Sequence, residues 1–265
     1  MKYCLSGRQG KKYLKKADEI FLEFRDHRII TDYFIDYPET MIILDIPAEG
    51  FTLDTQDILL NYREVSDKFC CKIYNLESAN WFKEHNIKFY YGYSVNSFYE
   101  VKGLIDLGVE YIQIHAPLTF CVDKLKTYNC KFRMVPNVAY DAYIPRQEGI
   151  CGQWIRPEDV KWYEEGIYVF DFKDANLEKE KVLYKIYAED KKWNGNINSL
   201  ITNLDKQSDN KIFPEEFGEF RSNCEQKCMI NGRCRYCYSV FNLKQTIEEN
   251  KERFKDLLIK YKENN

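Results

Sequence analysis

The stretch IKFYYGYSVNSFYEVKGLIDLGVEYIQIH, residues 87–115, contains one complete strand–helix–strand unit. Ile87–Tyr93 and Tyr111–His115 are short segments rich in Ile, Tyr and Val, which is typical of buried strands. Ser97–Leu107 lies between them with helical spacing, and Leu107-Gly108-Val109 supplies the turn residues that end the helix. The unit therefore predicts two strands joined by a covering helix.

The same alternation runs through the first two thirds of the chain. The other predicted strands are Lys2–Ser6, Glu19–Phe24, Met41–Ile46, Phe69–Tyr74, Phe132–Val135 and Ile167–Phe172. The other predicted helical segments include Gly10–Ala17, Thr55–Ser66, Ser78–His85 and Pro157–Glu165. Eight strands alternating with helices predict an α/β fold, a (β/α)8 barrel, because eight parallel strands can close and remove both sheet edges. A doubly wound open sheet is the alternative, but no G-x-G-x-x-G follows a strand, which disfavours its dinucleotide-binding form.

The domain organisation follows from where this alternation stops. We expect the barrel to span residues 1–190, with Leu177–Asp190 as the helix that covers the last strand. Residues 191–265 would then form a polar connection, a cysteine-rich metal-binding segment and a charged C-terminal helix over Asn242–Lys262. Glu248, Glu249 and Glu252 are interleaved with the lysines of that helix, which favours a solvated face over a nucleic-acid surface.

Composition narrows the classes of protein. No apolar run follows Met1, and no stretch approaches the length of a membrane-spanning helix, so we expect neither a signal peptide nor a membrane partner. Ten cysteines without a secretory leader fit a reducing compartment and predict a cytoplasmic protein. The net charge of −3 indicates no strongly charged partner, so nucleic-acid binding would rest on a local patch. The motifs G-x-S-x-G, H-E-x-x-H and G-x-x-x-x-G-K-[ST] do not occur, which disfavours the corresponding hydrolases and NTPases.

The densest cysteine pattern lies near the C-terminus. It is a C-x3-C-x5-C-x2-C array formed by Cys224, Cys228, Cys234 and Cys237. Four thiolates this close can converge on one ion or cluster, so the array predicts a metal or iron–sulfur site, with zinc among the candidate metals. Cys151, on a predicted loop at the site face, is the reserve ligand. Reduced structural cysteines or two disulfides are the other interpretation of the array.

Polar residues at the C-terminal ends of the predicted strands form a second candidate site, because barrels carry their chemistry on that face. The catalytic candidates are His115, Lys173, Asp171 and Arg133. The ligand-binding candidates are Arg8, Lys72 and Gln113. Gln113 and His115 share one face of their strand, and Asp171 and Lys173 share one face of theirs, by the two-residue period. We expect this mouth to bind an anionic or aromatic ligand and to supply acid–base groups. The alternative is a set of ion pairs that closes the top of the barrel.

The segment GICGQWIRPEDV (Gly149–Val160), continued by EGIYVFDFK (Glu165–Lys173), resembles the late barrel region of the collagenase-like peptidase family U32. That resemblance implies a TIM barrel. Members of the family include oxygen-independent hydroxylases of RNA or of quinone precursors, and several carry a four-cysteine [4Fe–4S] cluster. This chain departs from the family at Asp171–Ala175, where a Lys-Ile-Glu-Gly-Arg-like run is usual, and its array follows the barrel instead of lying within it.

These observations predict an iron–sulfur enzyme similar to the U32 hydroxylases, acting on RNA or on a small aromatic acceptor. The alternative is a TIM-barrel protein with a structural zinc site that acts as a non-enzymatic binding or interaction protein. Basic and aromatic residues around the array would contact RNA, since arginine pairs with phosphate and tyrosine stacks on bases. These residues are Arg221, Lys227, Arg233, Arg235, Tyr236 and Tyr238. In the simpler interpretation they only cover a thiolate centre.

Overall fold

The computed structural model describes residues 1–109, 111–115, 118–137, 154–172, 176–201 and 209–225. Its strands are β1 (Lys2–Ser6), β2 (Glu19–Glu23), β3 (Met41–Asp45), β4 (Phe69–Ile73), β5 (Phe89–Val95), β6 (Tyr111–Ile114), β7 (Lys131–Met134) and β8 (Val169–Asp171). Each strand pairs in parallel with the next one along the chain, and β8 pairs with β1, so the sheet closes. The predicted (β/α)8 barrel is confirmed, and the open-sheet alternative is wrong.

Short helices cover the strands. They are α1 (Lys11–Leu14), α2 (Ile30–Asp36), α3 (Leu53–Asn61), α4 (Ala79–Glu84), α5 (Phe98–Asp106), α6 (Val122–Leu125), α7 (Leu177–Tyr184) and α8 (Phe217–Ser222). Pro157–Trp162 forms a 3-10 helix between β7 and β8, and Lys185–Asp190 continues α7 as a π-helical turn. In the part of the chain that the structure describes, no helix combines the length and the apolar character needed to cross a membrane.

Two hydrophobic cores follow from the two faces of the strands. The larger core lies between the outer faces and the helices; Leu5, Ile20 and Phe82 are among its fully buried members. A smaller cluster of alternate strand residues fills the inside of the barrel, and it contains Cys4, Ile43, Cys70, Tyr90, Tyr111 and Val169. This division is expected because successive side chains of a strand point to opposite faces.

The inside of the barrel also holds a buried ion network. Nη1 of Arg133 lies 3.2 Å from Glu19 Oε2, and Nη2 lies 3.3 Å from Asp171 Oδ2. The guanidinium stacks 4.6 Å from the ring centroid of Tyr90. All three charged side chains are at most 1% exposed. Burial raises the pKa of the Glu19 carboxyl, and Arg133 only partly opposes this effect. With a proton on Glu19, the carboxylate of Asp171 would be the single negative charge that pairs with the guanidinium of Arg133.

The described part of the C-terminal region packs on the outer wall of the barrel. Arg221 of α8 donates from Nη1 to the carbonyl of Trp154 over 2.7 Å, and its guanidinium lies 4.5 Å from the ring centroid of Phe120. Gly218 approaches the side chain of Asp159 so closely that a Cβ at this position would overlap it. Asp159 is itself fixed by a buried two-point ion pair with Arg156. These contacts attach α8 to the 3-10 helix before β8.

Candidate functional site

Lys72, on the inner face of β4, is a buried charged group near the C-terminal end of the barrel. Its side chain is 5% exposed, and its Nζ lies 3.6 Å from Oδ1 of Asp45, its register partner at the end of β3. The hydroxyl of Tyr74, just beyond β4, donates to the same carboxylate oxygen over 2.9 Å. The sequence places these three residues together because parallel strands end at the same face.

Aromatic rings surround the Lys72 ammonium group. Nζ lies 4.9 Å from the ring centroid of Tyr74 and 5.7 Å from that of Phe21 on β2. Tyr93, near the end of β5, is exposed and packs edge-on against Tyr74. A cation over the faces of aromatic rings is stabilised by their quadrupoles. The arrangement combines a positive charge with flat apolar surface, and it can contact both an anionic group and a planar ring.

A second group of charges lies at the end of β2. Glu23 pairs with Arg8, at 2.5 Å between Nη2 and Oε1, and also with Arg25. Both arginine side chains are more than half exposed. Exposed ion pairs contribute little to stability. The predicted ligand-binding residue Arg8 is therefore accessible at the rim of the barrel, where it shares the single carboxylate of Glu23 with Arg25.

Gln113 and His115 lie at the end of β6, as predicted. Gln113 is buried and donates from Nε2 to Oγ of Ser94 over 3.0 Å. Its Oε1 is buried and has no hydrogen-bond partner within the described residues. His115 is half-buried, and its backbone N–H donates to the carbonyl of Val95 over 2.8 Å. Because a buried amide oxygen is costly to leave unpaired, Gln113 can accept a hydrogen bond from a ligand or a water molecule.

Arg133 and Asp171, two of the predicted catalytic residues, lie deeper than the mouth. Both are fully buried in the interior ion network described above. Their geometry matches the structural alternative of paired charges more closely than that of groups open to a substrate, and their catalytic role stays a prediction. The fourth candidate, Lys173, lies outside the described residues.

Glu180 is a site residue that the sequence analysis did not find. It projects from α7 and accepts hydrogen bonds from the N–H of Ser6 over 2.6 Å and from Nε2 of Gln9. Burial, with a smaller contribution from Asp171, raises the pKa of the Glu180 carboxyl to about 7, although the two hydrogen bonds oppose the shift. Glu180 shares a buried helix face with Leu183 and Tyr184, three and four residues later. A carboxylate in the apolar stripe of a helix is the signal that could have revealed it.

Only the first cysteine of the predicted metal array lies within the described residues. Cys224 is partly exposed and lies two residues after the last residue of α8. The next residue, Glu225, donates its N–H to the carbonyl of Phe120 over 3.0 Å, so Cys224 is held against the barrel wall. Cys228, Cys234, Cys237 and the reserve ligand Cys151 lie outside the described residues. Among the residues that the structure describes, no group of three or more His, Cys, Asp or Glu side chains is suited to hold a metal ion.

No protein-family model matches the chain. No curated protein matches it either.

Proposed function

We propose that this chain is a TIM-barrel enzyme whose mouth binds a small anionic aromatic acceptor, with a metal centre on its C-terminal cysteine array. The observation that carries the proposal is the Lys72 group, in which a buried ammonium lies beside Asp45 and close to the rings of Phe21 and Tyr74. The class of enzyme that best fits is the oxygen-independent hydroxylase of the U32-like type.

The residues of the mouth suit such an acceptor. Lys72 can pair with a carboxylate or phenolate, while Phe21 and Tyr74 contact the ring. Gln113 can accept a hydrogen bond from a hydroxyl group of the ligand through its amide oxygen. His115, two residues later at the end of β6, can serve as an acid–base group. Because Lys72 is enclosed, the geometry favours a small molecule over RNA as the group that reaches it.

The cysteine array supplies ligands that fit the proposed cofactor. Four thiolates, from Cys224, Cys228, Cys234 and Cys237, have the soft donor character that an iron–sulfur cluster requires. Such a cluster would supply one-electron chemistry when bound. We also place the protein in the cytoplasm, where its ten cysteines would stay reduced.

One observation favours the second candidate function, a barrel with a structural zinc site that acts as a binding or interaction protein. Cys224 is held against the outer wall of the barrel through Glu225 and Phe120. A zinc ion there would staple the C-terminal tail to the barrel, and metal-binding energy in such loops is folding energy.

The mouth is tested by calorimetric titration with 4-hydroxybenzoate, an anionic aromatic probe. We expect Lys72→Met to weaken binding by about tenfold or more, because a hydrogen bond to a charged group contributes ~1.5–3 kcal/mol. His115→Ala should weaken it as well, with little change in melting temperature. Lys88→Met is the matched control, since Lys88 directly precedes β5 and so lies at the end of the barrel opposite the mouth. Equal affinities for wild type and Lys72→Met, or no binding by the wild type, would contradict the proposed mouth site.

A further inference from the structure

The carboxylate of Asp45, at the end of β3, is engaged through one of its two oxygens. Oδ1 accepts a hydrogen bond from the Tyr74 hydroxyl over 2.9 Å, and the same oxygen lies 3.6 Å from Nζ of Lys72. Among the residues that the structure describes, none donates a hydrogen bond to Oδ2. The Asp45 side chain is 23% exposed, and Oδ2 is not buried. Oδ2 is therefore an acceptor that a ligand in the mouth can reach.

The Tyr74 ring that holds Asp45 is itself fixed by its neighbours. It lies over Gly92 of β5, where a Cβ would come within 2.6 Å of Cε1 of the ring. It also packs edge-on against Tyr93, with 5.1 Å between the two ring centroids. Only glycine leaves room for the ring to approach the strand this closely. The Tyr74 hydroxyl, and with it the orientation of the Asp45 carboxylate, is therefore set before a ligand binds.

The charges of this group decide which kind of ligand atom it can take. The Lys72 ammonium is 5% exposed and already has the carboxylate of Asp45 as its counter-charge. A ligand carboxylate bound to Lys72 would also lie close to the negative charge of Asp45, and like charges at such distances repel. A hydroxyl group carries no charge, and it both donates and accepts hydrogen bonds. One ligand hydroxyl can therefore donate to Oδ2 of Asp45 and accept from Nζ of Lys72.

The surroundings of Lys72 indicate what carries that hydroxyl. The ring centroids of Tyr74 and Phe21 lie 4.9 Å and 5.7 Å from Nζ. Aromatic rings pack favourably against one another at centroid separations of about 4.5–7 Å. A hydroxyl on an aromatic ring suits these neighbours better than a hydroxyl on a polar chain.

We propose that Asp45 is the specificity-determining residue of the mouth and that it selects a phenol hydroxyl. The inference rests on the proposed mouth site and narrows its substrate class to phenols, whose hydroxyl is the group that reaches Lys72. A carboxylate elsewhere on the ligand then points away from Lys72. Tyr74 is a positioning residue that acts through Asp45.

The test is calorimetric titration of the full chain with three probes that differ at one position. 4-Hydroxybenzoate donates and accepts a hydrogen bond there, 4-methoxybenzoate only accepts, and benzoate does neither and controls for the size of the methyl group. The wild type should bind 4-hydroxybenzoate at least about tenfold more tightly than either analogue, because a hydrogen bond to a charged group contributes that much. The readout is this ratio of affinities, which a general loss of stability would not change.

Three variants locate the source of the ratio. Asp45→Ala should bring it close to one, because the acceptor for the hydroxyl proton is gone. Tyr74→Phe keeps the ring over Gly92 and removes the hydroxyl that fixes the carboxylate, so the ratio should fall by about threefold or more. Asp106→Ala is the matched control and should keep the wild-type ratio. Asp106 is exposed at the end of α5, which leads into β6, so it lies toward the end of the barrel opposite the mouth.

The outcomes separate this inference from the proposed function. If the wild type binds all three probes equally and Lys72→Met weakens their binding, the mouth site stands and Asp45 selects no hydroxyl. If the wild type binds none of the probes, the mouth site fails and the inference fails with it. A ratio that Asp45→Ala leaves unchanged would overturn the inference. Should Asp45→Ala not fold, Tyr74→Phe decides, and an unchanged ratio in that variant would have the same meaning.

Discussion

Replacing Glu180 with glutamine should remove a defined part of the pH dependence of stability. The carboxyl is buried between α7 and β1, where it faces the Ser6 N–H and the Gln9 amide, with Asp171 of β8 nearby. Its pKa is raised to about 7 from an ordinary value of 4.5, chiefly by burial. Glutamine has nearly the same shape as the protonated acid but carries no titrating proton.

The sign and size of the effect follow from linkage. Between pH 4.5 and about 7, the folded protein holds a proton on Glu180 that the unfolded chain has already released. Stability therefore falls as pH rises, because the folded state binds more protons than the unfolded state. Each unit of pKa difference corresponds to about 1.4 kcal/mol, so this group should lower the free energy of unfolding by about 3 kcal/mol across the window. The stabilisation by protonated Glu180 is fully present below pH 4.5, the pKa in the unfolded chain, and is lost once the pH exceeds the folded-state pKa of about 7.

The assay is urea denaturation at a series of pH values for wild type, Glu180→Gln and Glu178→Gln. Glu178 lies in the same helix with its side chain 83% exposed, so its variant controls for the change of residue type. We expect the difference between wild type and Glu180→Gln to change by about 3 kcal/mol across the window, and the control difference to stay flat. The raised pKa of Glu19 also makes stability depend on pH, but Glu19 is present in all three proteins, so its contribution cancels when their free energies of unfolding are compared. Parallel pH profiles for wild type and Glu180→Gln would refute the reasoning.

Two further predictions concern the interior and the tail. Arg133→Met should lower the free energy of unfolding by about 3–5 kcal/mol, because it leaves Glu19 and Asp171 buried without their counter-charge, and adding Glu19→Gln should restore part of the loss. Urea denaturation of the single and double variants checks this, and a loss below about 1 kcal/mol for the single variant would show that the network does not need the guanidinium. If RNA is the acceptor, a tRNA-fragment titration at two salt concentrations should show salt-dependent binding that Arg233→Glu with Arg235→Glu weakens. Binding that ignores this double substitution would leave the small molecule as the substrate.

The fold was largely predictable from local patterns. Short apolar runs alternating with helical stretches identified all eight strands, and β1 has its predicted bounds of Lys2–Ser6. The other strand boundaries differ from the predicted ones by at most two residues, a normal uncertainty for element ends. Ile167 and Tyr168 belong to the predicted last strand, but the structure has β8 begin at Val169. Ile167 is buried although it lies outside the strand, so the apolar character of a residue does not show where the hydrogen-bonded strand pairing begins.

The candidate site was less predictable because strand periodicity gives the face of a residue and not its depth along the barrel axis. Arg133 and Asp171 do point inward, yet they lie in the closed interior. Glu19, their neighbour in space, stands at the start of its strand and carried no local signal of a buried pair. The contact of α8 with the barrel wall, through Arg221 and Phe120, is a tertiary contact that no local pattern encodes.

The central claim, an iron–sulfur centre on the cysteine array of a TIM-barrel enzyme, is tested most directly by metal and sulfide analysis of anaerobically purified protein together with its visible absorption spectrum. The account predicts about four iron atoms and about four sulfides per chain, with the broad absorption of thiolate-ligated iron. Cys228→Ser purified in parallel should contain less of both. One zinc ion per chain in a colourless protein would contradict the claim and support the structural zinc site instead.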